Sequence, residues 1–239
     1  LRAQRYATPE QMLERGLKDY RGESQYVIRI TQPIQWATED FPVPPYIVGM
    51  WMTRRNKNSN FIIRDSIIEE VKKNIKAVGW SFQKASKVSF QIRPSINTSF
   101  LTKYAKIPTK LPLDYQFGSV EQRIELLRGL LATKPNAYNP KTDIFTIHSR
   151  DARFLMQIQG ILESLGTKTV LYDNEKKILK WLVFQTDIML LPWQKPLSTF
   201  RKPKHRIITS IEKIDPVECI HIETDTPFVA GSEFTPIWH

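Results

Sequence analysis

The sequence predicts an α+β protein with an internal repeat, followed by a small all-β segment at its C-terminal end. Over residues 41–190, amphipathic helix patterns alternate with short strand patterns. The order helix, strand, glycine-closed helix and strand pair occurs in both 41–106 and 119–190. Gly49 and Gly129 lie 80 residues apart, and a threonine and then a base follow each of them at the same distance. We therefore expect a pseudo-twofold pair of αββαββ-like halves.

The composition limits the classes of protein to which this chain can belong. Its 239 residues are 41% hydrophobic and 11% aromatic, which is enough for a buried core. A single cysteine excludes an internal disulfide framework and an all-cysteine zinc site. No apolar run approaches the ~18 residues of a membrane span, and none follows the first residues as in a secretory signal. We expect a soluble intracellular protein without a membrane partner, in the cytoplasm or nucleoid, a viral particle or a host cell.

The N-terminal lead-in is predicted to form a helix and a strand. Thr8 is a typical N-cap, Pro9 suits the first helical turn, and Gln11 closes a capping box. The helix is expected to continue to about Tyr20, and the apolar pattern of residues 26–30 is typical of a strand.

The first half of the repeat is predicted to start with a short apolar helix at 45–52, whose first residue is a proline. A strand at 61–63 follows. Asp65 then caps an amphipathic helix that ends at Gly79. Apolar side chains alternate over 88–92, which indicates a half-buried strand.

The second half repeats this order. Ser119 starts a helix that ends at Lys134 and Pro135, and Ser149 caps a longer helix that ends at Gly166. The predicted strands of this half are 143–147, 169–172 and 178–184.

The composition changes after Leu191. The next stretch is basic and contains prolines, and strand patterns occupy the end of the chain. The predicted organisation is therefore a lead-in (1–40), a double repeat (41–190), a basic linker (191–206) and a C-terminal β segment (207–239).

Gly49 and Gly129 have two explanations. Because glycine has no side chain, the first helices of the two halves can cross closely at these positions. Alternatively, each glycine only lowers the helix propensity of its segment, by ~1 kcal/mol. The matched positions favour the close crossing.

The repeat resembles the LAGLIDADG homing-endonuclease family, in the single-chain form that is embedded in inteins. The segment Gln122–Pro135 looks like the family's second motif, and Pro45–Arg55 looks like the first. Ile161–Gly166 is similar to the usual end of the family's second helix. Two parts of the chain outside the repeat resemble an intein. Thr8–Ile34 is similar to the lead-in of such a domain. The final strands of a Hint splicing domain are similar to Val217–Gly231 and Trp238–His239.

This resemblance implies a β-saddle that binds double-stranded DNA, together with a degenerate catalytic site. In the family an acidic residue ends each motif helix, and the two carboxylates hold the metal ions that activate water. The matching residues here are Arg54 and Lys134. Their cationic side chains cannot ligate Mg²⁺ and would repel it. We therefore expect a DNA-binding pseudoenzyme with no catalytic residue, no metal ligand and no cofactor.

The formal net charge of +11 favours a polyanionic partner. The bases expected to contact nucleic acid are Arg54, Arg55, Lys57, Lys84, Lys87, Arg93, Lys134, Lys168, Lys177, Lys180, Lys202 and Lys204. Lys87 and Arg93 alternate with the apolar residues of their strand and so share its other face. Two alternatives stay open: Arg54 and Lys134 can interact with the helix macrodipole, and the basic surface can serve solubility alone.

One alternative function is an active endonuclease of the same family that holds Mg²⁺ on non-standard carboxylates. The carboxylates nearby in sequence are Asp65, Asp143 and Asp151. Another alternative is a recruited subunit of a larger nucleoprotein assembly, for example a viral one, whose C-terminal strands dock on a protein partner.

A third alternative is the C-terminal part of a split intein. Leu1 is not a splicing nucleophile, and no asparagine follows His239, so the chain by itself is not expected to splice. Cys219 and His239 are then splicing-like remnants. The simpler explanation of Cys219 is a small buried residue in a strand.

Overall fold

The structure is a computed structural model that describes residues 7–53, 60–63, 65–77, 79–84, 89–93, 110–134, 136–172, 178–195, 205–212, 228–230 and 235–237. The chain divides into a terminal unit, Leu1–Thr31 with Pro203–His239, and a central unit, Gln32–Lys202. The described helices are α1 (Pro9–Arg15), α2 (Pro45–Met52), α3 (Ile68–Ala77), α4 (Val120–Ala132) and α5 (Ala152–Ser164). The described strands are β1 (Val27–Arg29), β2 (Asn60–Ile62), β3 (Ser81–Lys84), β4 (Ser89–Arg93), β5 (Tyr138–Asn139), β6 (Ile144–Ser149), β7 (Thr169–Tyr172), β8 (Lys180–Phe184), β9 (His205–Ile207), β10 (Phe228–Ala230) and β11 (Thr235–Ile237).

Helix α1 of the terminal unit begins with the predicted capping box. The Thr8 hydroxyl accepts a hydrogen bond from the Gln11 amide at 3.3 Å, and the Gln11 side chain accepts one from the Thr8 amide at 3.1 Å. The helix ends at Arg15 and does not reach Tyr20. The predicted end was wrong because Gly16 adopts φ +81°, where the chain leaves the helical path.

The described strands of the terminal unit form two antiparallel ribbons, β1 with β9 and β10 with β11. In the first ribbon Val27 pairs with Ile207, and Arg29 pairs with His205. Strand β9 therefore begins inside the stretch that the sequence assigns to the basic linker. The ribbon joins the two sequence-distant parts of this unit.

The first section of the central unit contains α2, β2, α3, β3 and β4 in this order. Pro45 occupies the first turn of α2 as predicted, and every following residue of the helix is buried. Asp65 opens a 3₁₀ turn, and α3 starts only at Ile68, so the prediction that Asp65 caps the α-helix was wrong. Such turns are frequent where an α-helix begins. The strands pair antiparallel in the order β2-β4-β3.

The second section contains α4, β5, β6, α5, β7 and β8, and its strands pair antiparallel in the order β5-β6-β8-β7. Ser119 caps α4 as predicted, in a capping box that Gln122 closes. Strand β6 begins at Ile144 and not at the predicted Asp143, because Asp143 adopts φ +53° in the preceding turn. Strand β5 was not predicted.

The cap of α5 differs from the predicted one. Asp151 precedes the helix, and its Oδ1 accepts a hydrogen bond from the Arg153 amide at 2.9 Å. Ser149 is still part of the sheet, where it pairs with Lys180, and its hydroxyl accepts a hydrogen bond from the Asp151 amide at 3.1 Å. The prediction of Ser149 was wrong because sheet pairing holds this residue away from the helix terminus.

The core of the central unit lies between the helices and one face of each sheet. In the second section, buried side chains of β6 and β8 pack with the apolar stripe of α5. The buried residues of these three elements include Phe145, Ile147, Leu182, Phe184, Leu155, Ile158 and Leu162. Helices and antiparallel sheets share this unit, which confirms the predicted α+β class. Within the described residues, no helix has the length and apolar character that crossing a membrane requires.

Candidate nucleic-acid interface

Helices α2 and α4 cross at their two glycines. A methyl group built at Gly49 would overlap the carbonyl oxygen of Leu126 and would lie 2.8 Å from the amide nitrogen of Leu130. One built at Gly129 would overlap the carbonyl oxygen of Tyr46. Since backbone atoms cannot move aside as a flexible side chain can, the helices approach each other this closely only with glycine at both positions.

The two helices end side by side at a pair of threonines. The hydroxyls of Thr53 and Thr133 hydrogen-bond to each other. They also lie 2.8 Å from the Met50 carbonyl and 3.1 Å from the Leu130 carbonyl, respectively. Each hydroxyl has one proton. One threonine therefore donates to the carbonyl oxygen of its own helix, and the other donates to the hydroxyl oxygen of the first. The arrangement ties the C-terminal ends of α2 and α4 together.

Lys134 follows this threonine pair and is half-buried. Its amide donates to the Leu131 carbonyl at 2.9 Å, so the chain has not yet left the end of α4. His148 on β6 is exposed but partly desolvated by its neighbours, which lowers its pKa, and the positive charge of Lys134 lowers the pKa further. The positive charge of Lys134 therefore acts on a side chain near the C-terminal end of β6. Arg54, the matching base after α2, lies outside the described residues.

The described side chains at these helix ends are two hydroxyls and an ammonium; they include no carboxylate, and the ammonium would repel a divalent cation. The three candidate carboxylates have other positions. Asp143 is fully buried and accepts a hydrogen bond from the Tyr138 hydroxyl at 3.0 Å, Asp151 caps α5, and Asp65 lies in a 3₁₀ turn. In the part of the chain that the structure describes, no three His, Cys, Asp or Glu residues cluster as metal ligands.

Three residues of amide-bearing type share one cross-strand register of the first sheet. By register, Asn60 of β2 stands opposite Gln91 of β4, which stands opposite Gln83 of β3. These positions alternate with that of the buried Phe90 and so belong to the other face of the sheet. The Gln83 side chain is exposed. The first sheet thus places three amide-bearing residues across all three of its strands.

Aromatic residues form the corresponding row in the second sheet. His148 of β6 pairs with Trp181 of β8, which pairs with Tyr172 of β7. The His148 and Trp181 rings meet edge to face, with centroids 6.2 Å apart. The next row along the strands is Thr146, Val183 and Val170. Both rows alternate with the buried residues of β6 and β8, and they form what we call the open face of the second sheet.

The predicted basic residues that the structure describes have different environments. Lys84 is exposed at the end of β3 but is in register with the buried Phe90. Lys168 is exposed immediately before β7, and Lys180 is half-buried, on the same side of β8 as Leu182. For Arg93 only the backbone is described, paired with Ser81. The predicted residues that lie outside the described part of the chain are Arg54, Arg55, Lys57, Lys87, Lys177, Lys202, Lys204, Cys219 and His239.

Sequence reasoning missed the aromatic row. A signal was present: Trp181, Leu182, Val183 and Phe184 are apolar on both alternations of one strand, although the sheet has only one buried face. Reading that signal required the pairing of β8 with β6 and β7, which brings Tyr172 and His148 to either side of Trp181.

Sequence reasoning also missed a buried base, Arg123 of α4. Its Nε donates to the Gly118 carbonyl at 2.9 Å, and its terminal nitrogens donate to the Ser164 hydroxyl and the Ile34 carbonyl. The guanidinium carbon lies 4.3 Å from the centroid of the Trp36 ring. Burial lowers the pKa of Arg123 to about 10, so the side chain stays charged at neutral pH. Arg123 therefore links α4 to the end of α5 and to the segment around Ile34, and its guanidinium group is not available to a ligand.

Several solved structures are similar to the chain. One is I-DmoI in complex with DNA and manganese, with 10% identity and a TM-score of 0.43, over 59% of this chain and 88% of that one. A second is a variant of I-DmoI in complex with its target DNA in the presence of manganese, with 9% identity and a TM-score of 0.42, over 59% and 86%. A third belongs to mesophilic variants of the homing endonuclease I-DmoI, with 10% identity and a TM-score of 0.41, over 59% and 87%. No protein-family model matches the chain, and no curated protein does.

Proposed function

We propose that this protein binds duplex DNA through its central unit and does not cut it. The observation that carries the proposal is the amide row Asn60, Gln91 and Gln83 across the first sheet. Paired β-strands fit the major groove of B-form DNA, and Asn and Gln are the side chains that recognise adenine there with two hydrogen bonds. The formal net charge of +11 supplies attraction to the phosphates.

The proposal that the protein does not cut DNA rests on the ends of α2 and α4. By the sequence match, Arg54 and Lys134 stand where a metal-dependent nuclease of the resembled family needs carboxylates, and Lys134 follows the hydroxyl pair of Thr53 and Thr133. A cation beside these hydroxyls stabilises a phosphate instead. We therefore infer that Lys134 contacts the DNA backbone.

We further infer that the central unit is an insertion, as in an intein with an embedded endonuclease. The terminal unit is discontinuous in sequence, and strand β1 from its first part pairs with β9 from its second part. The repeated element order and the matching sheet orders β2-β4-β3 and β6-β8-β7 support duplication within the insertion.

Salt dependence tests the binding proposal. The affinity for a mixed-sequence duplex of about 20 base pairs, followed by fluorescence anisotropy, should fall steeply between ~50 and ~200 mM salt. Lys134→Gln should make the log–log slope shallower by about 0.9, the contribution of one phosphate. The control Lys76→Gln removes the same charge from an exposed position on α3 and should leave the slope unchanged. The absence of binding at ~50 mM salt, or equal slopes in all variants, would contradict the proposal.

The amide row and the lost catalysis have separate tests. Gln83→Ala should reduce the preference for one duplex sequence over its variants by about 5- to 150-fold at one base pair while leaving the salt slope unchanged, because it removes a base contact and no charge. Incubation of the protein with duplex DNA and Mg²⁺ or Mn²⁺ should leave the DNA intact. Cleavage that EDTA abolishes would overturn the proposal that the protein does not cut.

A further inference from the structure

We propose that the open face of the second sheet binds unpaired bases, so that this sheet takes a single strand of nucleic acid while the first sheet takes duplex DNA. The inference rests on the proposed nucleic-acid binding and deepens it by assigning different substrates to the two sheets. The observation behind it is the difference between the two cross-strand rows: amides in the first sheet, and His148, Trp181 and Tyr172 in the second.

The aromatic row is accessible to a ligand. The Tyr172 side chain is 53% exposed, His148 is exposed, and Trp181 between them is half-buried. The adjacent row contributes Val170, which is 43% exposed, and the half-buried Val183. Neighbouring strands lie about 4.8 Å apart, so the three positions form one continuous apolar strip across β6, β8 and β7.

Rings of this kind bind the faces of bases and not their edges. In a B-form duplex the base faces are stacked on one another, and only the edges are open to the grooves. An unpaired strand exposes its base faces, and stacking on aromatic side chains is a main source of its affinity for proteins. The strip therefore suits a single strand, whereas the amide-bearing register of the first sheet suits duplex edges.

Charge favours nucleic acid over a protein as the occupant. Lys134 lies close enough to His148 to lower the pKa of that ring, so a cation flanks one end of the row. Lys168 is exposed immediately before β7, at the opposite end of that strand from Tyr172. A cation near the His148 end of the strip and another at the start of β7 complement a strand whose phosphates run outside its bases.

The test compares the affinities of the full-length protein for a 12-nucleotide thymidine strand and for a 20-base-pair duplex at ~50 mM salt. Tyr172→Ala should weaken single-strand binding by roughly 5- to 150-fold, the range for loss of one stacked base, and should change duplex binding less than twofold. Tyr172→Phe keeps the ring and should restore single-strand binding. The control Tyr20→Ala removes an 87% exposed ring of the terminal unit and should affect neither. Near-UV circular dichroism should show the same fold in all variants.

The remaining outcomes separate this inference from the proposed function. If the protein binds only the duplex, or if Tyr172→Ala leaves single-strand affinity unchanged, the inference is wrong and the proposed function stands. If it binds only the single strand, in a manner that needs Tyr172, the inference stands and duplex binding is wrong. If it binds neither, both are wrong. Self-association that Tyr172→Ala abolishes, without single-strand binding, would make the open face a protein interface and overturn the inference.

Discussion

Lys134 and His148 show how a single residue acquires its properties from a neighbour on another element. Lys134 follows α4 and His148 lies on β6, and nothing in the sequence joins them. In the structure, partial desolvation and the charge of Lys134 both favour the neutral imidazole. Because the ring is mainly neutral at pH 7, His148 does not add a positive charge beside that of Lys134.

The pKa of His148 should therefore lie below 6.5 in the folded protein and should rise toward that value in Lys134→Met, where only partial desolvation still lowers it. The unfolded chain binds a proton at His148 more readily than the folded chain does, so protonation of this residue favours unfolding. Above about pH 6.5 neither state is protonated there, and His148 costs no stability. Stability is lost progressively as the pH falls below that value, and less steeply in Lys134→Met. Imidazole resonances in an NMR titration measure the pKa, and urea unfolding at pH 7 and pH 5 measures the stability.

Lys168→Met is the control for that experiment. It removes an exposed lysine that does not contribute to the shift of His148, so the titration should match that of the unchanged protein. A His148 pKa at or above 6.5 in the unchanged protein would contradict both the partial desolvation of this ring and the effect of the Lys134 charge on it.

At the scale of elements, the crossing of α2 and α4 decides how closely the two sections of the central unit approach. Gly49 and Gly129 bring backbone against backbone, and the threonine pair fixes the helix ends. The two sheets differ in the residue types of the face that alternates with their buried residues. Three strands of each nevertheless follow matching orders, β2-β4-β3 and β6-β8-β7. One frame of helices thus supports two surfaces of different chemistry.

Gly129→Ala should destabilise the protein by about 3 kcal/mol or more, because its methyl group would overlap the Tyr46 carbonyl and force the helices apart. The control is Gly160→Ala in α5, where a methyl group meets no atom within 4 Å. That change should stabilise the protein by up to ~1 kcal/mol through helix propensity. Urea unfolding measures both. A Gly129→Ala protein as stable as the unchanged one would show that the helices do not cross at this position.

At the scale of the whole molecule, the two units differ in their cores. Every buried hydrophobic side chain among the described residues belongs to the central unit. In the terminal unit, the residues of α1, β1 and β9 are all partly or fully exposed. Hydrophobic burial is the main source of folding free energy, so the buried side chains of the central unit give it a core of its own.

A fragment of residues 32–202 should therefore unfold cooperatively, with a midpoint within ~5 °C of that of the central unit in the full chain. Differential scanning calorimetry of the fragment and of the full chain makes the comparison. Phe145→Ala, which removes a fully buried ring, should destabilise both by about 3–5 kcal/mol. A fragment that lacks a cooperative transition would show that the central unit depends on the terminal unit for its stability.

The sequence alone determined the features that depend on residues three or four positions apart: the caps at Thr8 and Ser119, the proline start of α2 and the alternation of helices and strands. These depend on local hydrogen bonds and side-chain periodicity, which the order of residues fixes directly. Tertiary structure decided the rest. Pairing with Lys180 kept Ser149 in the sheet, strand register aligned His148, Trp181 and Tyr172, and burial committed Arg123 to the core. Each of these depends on groups far apart along the chain, whose proximity exists only once the protein has folded.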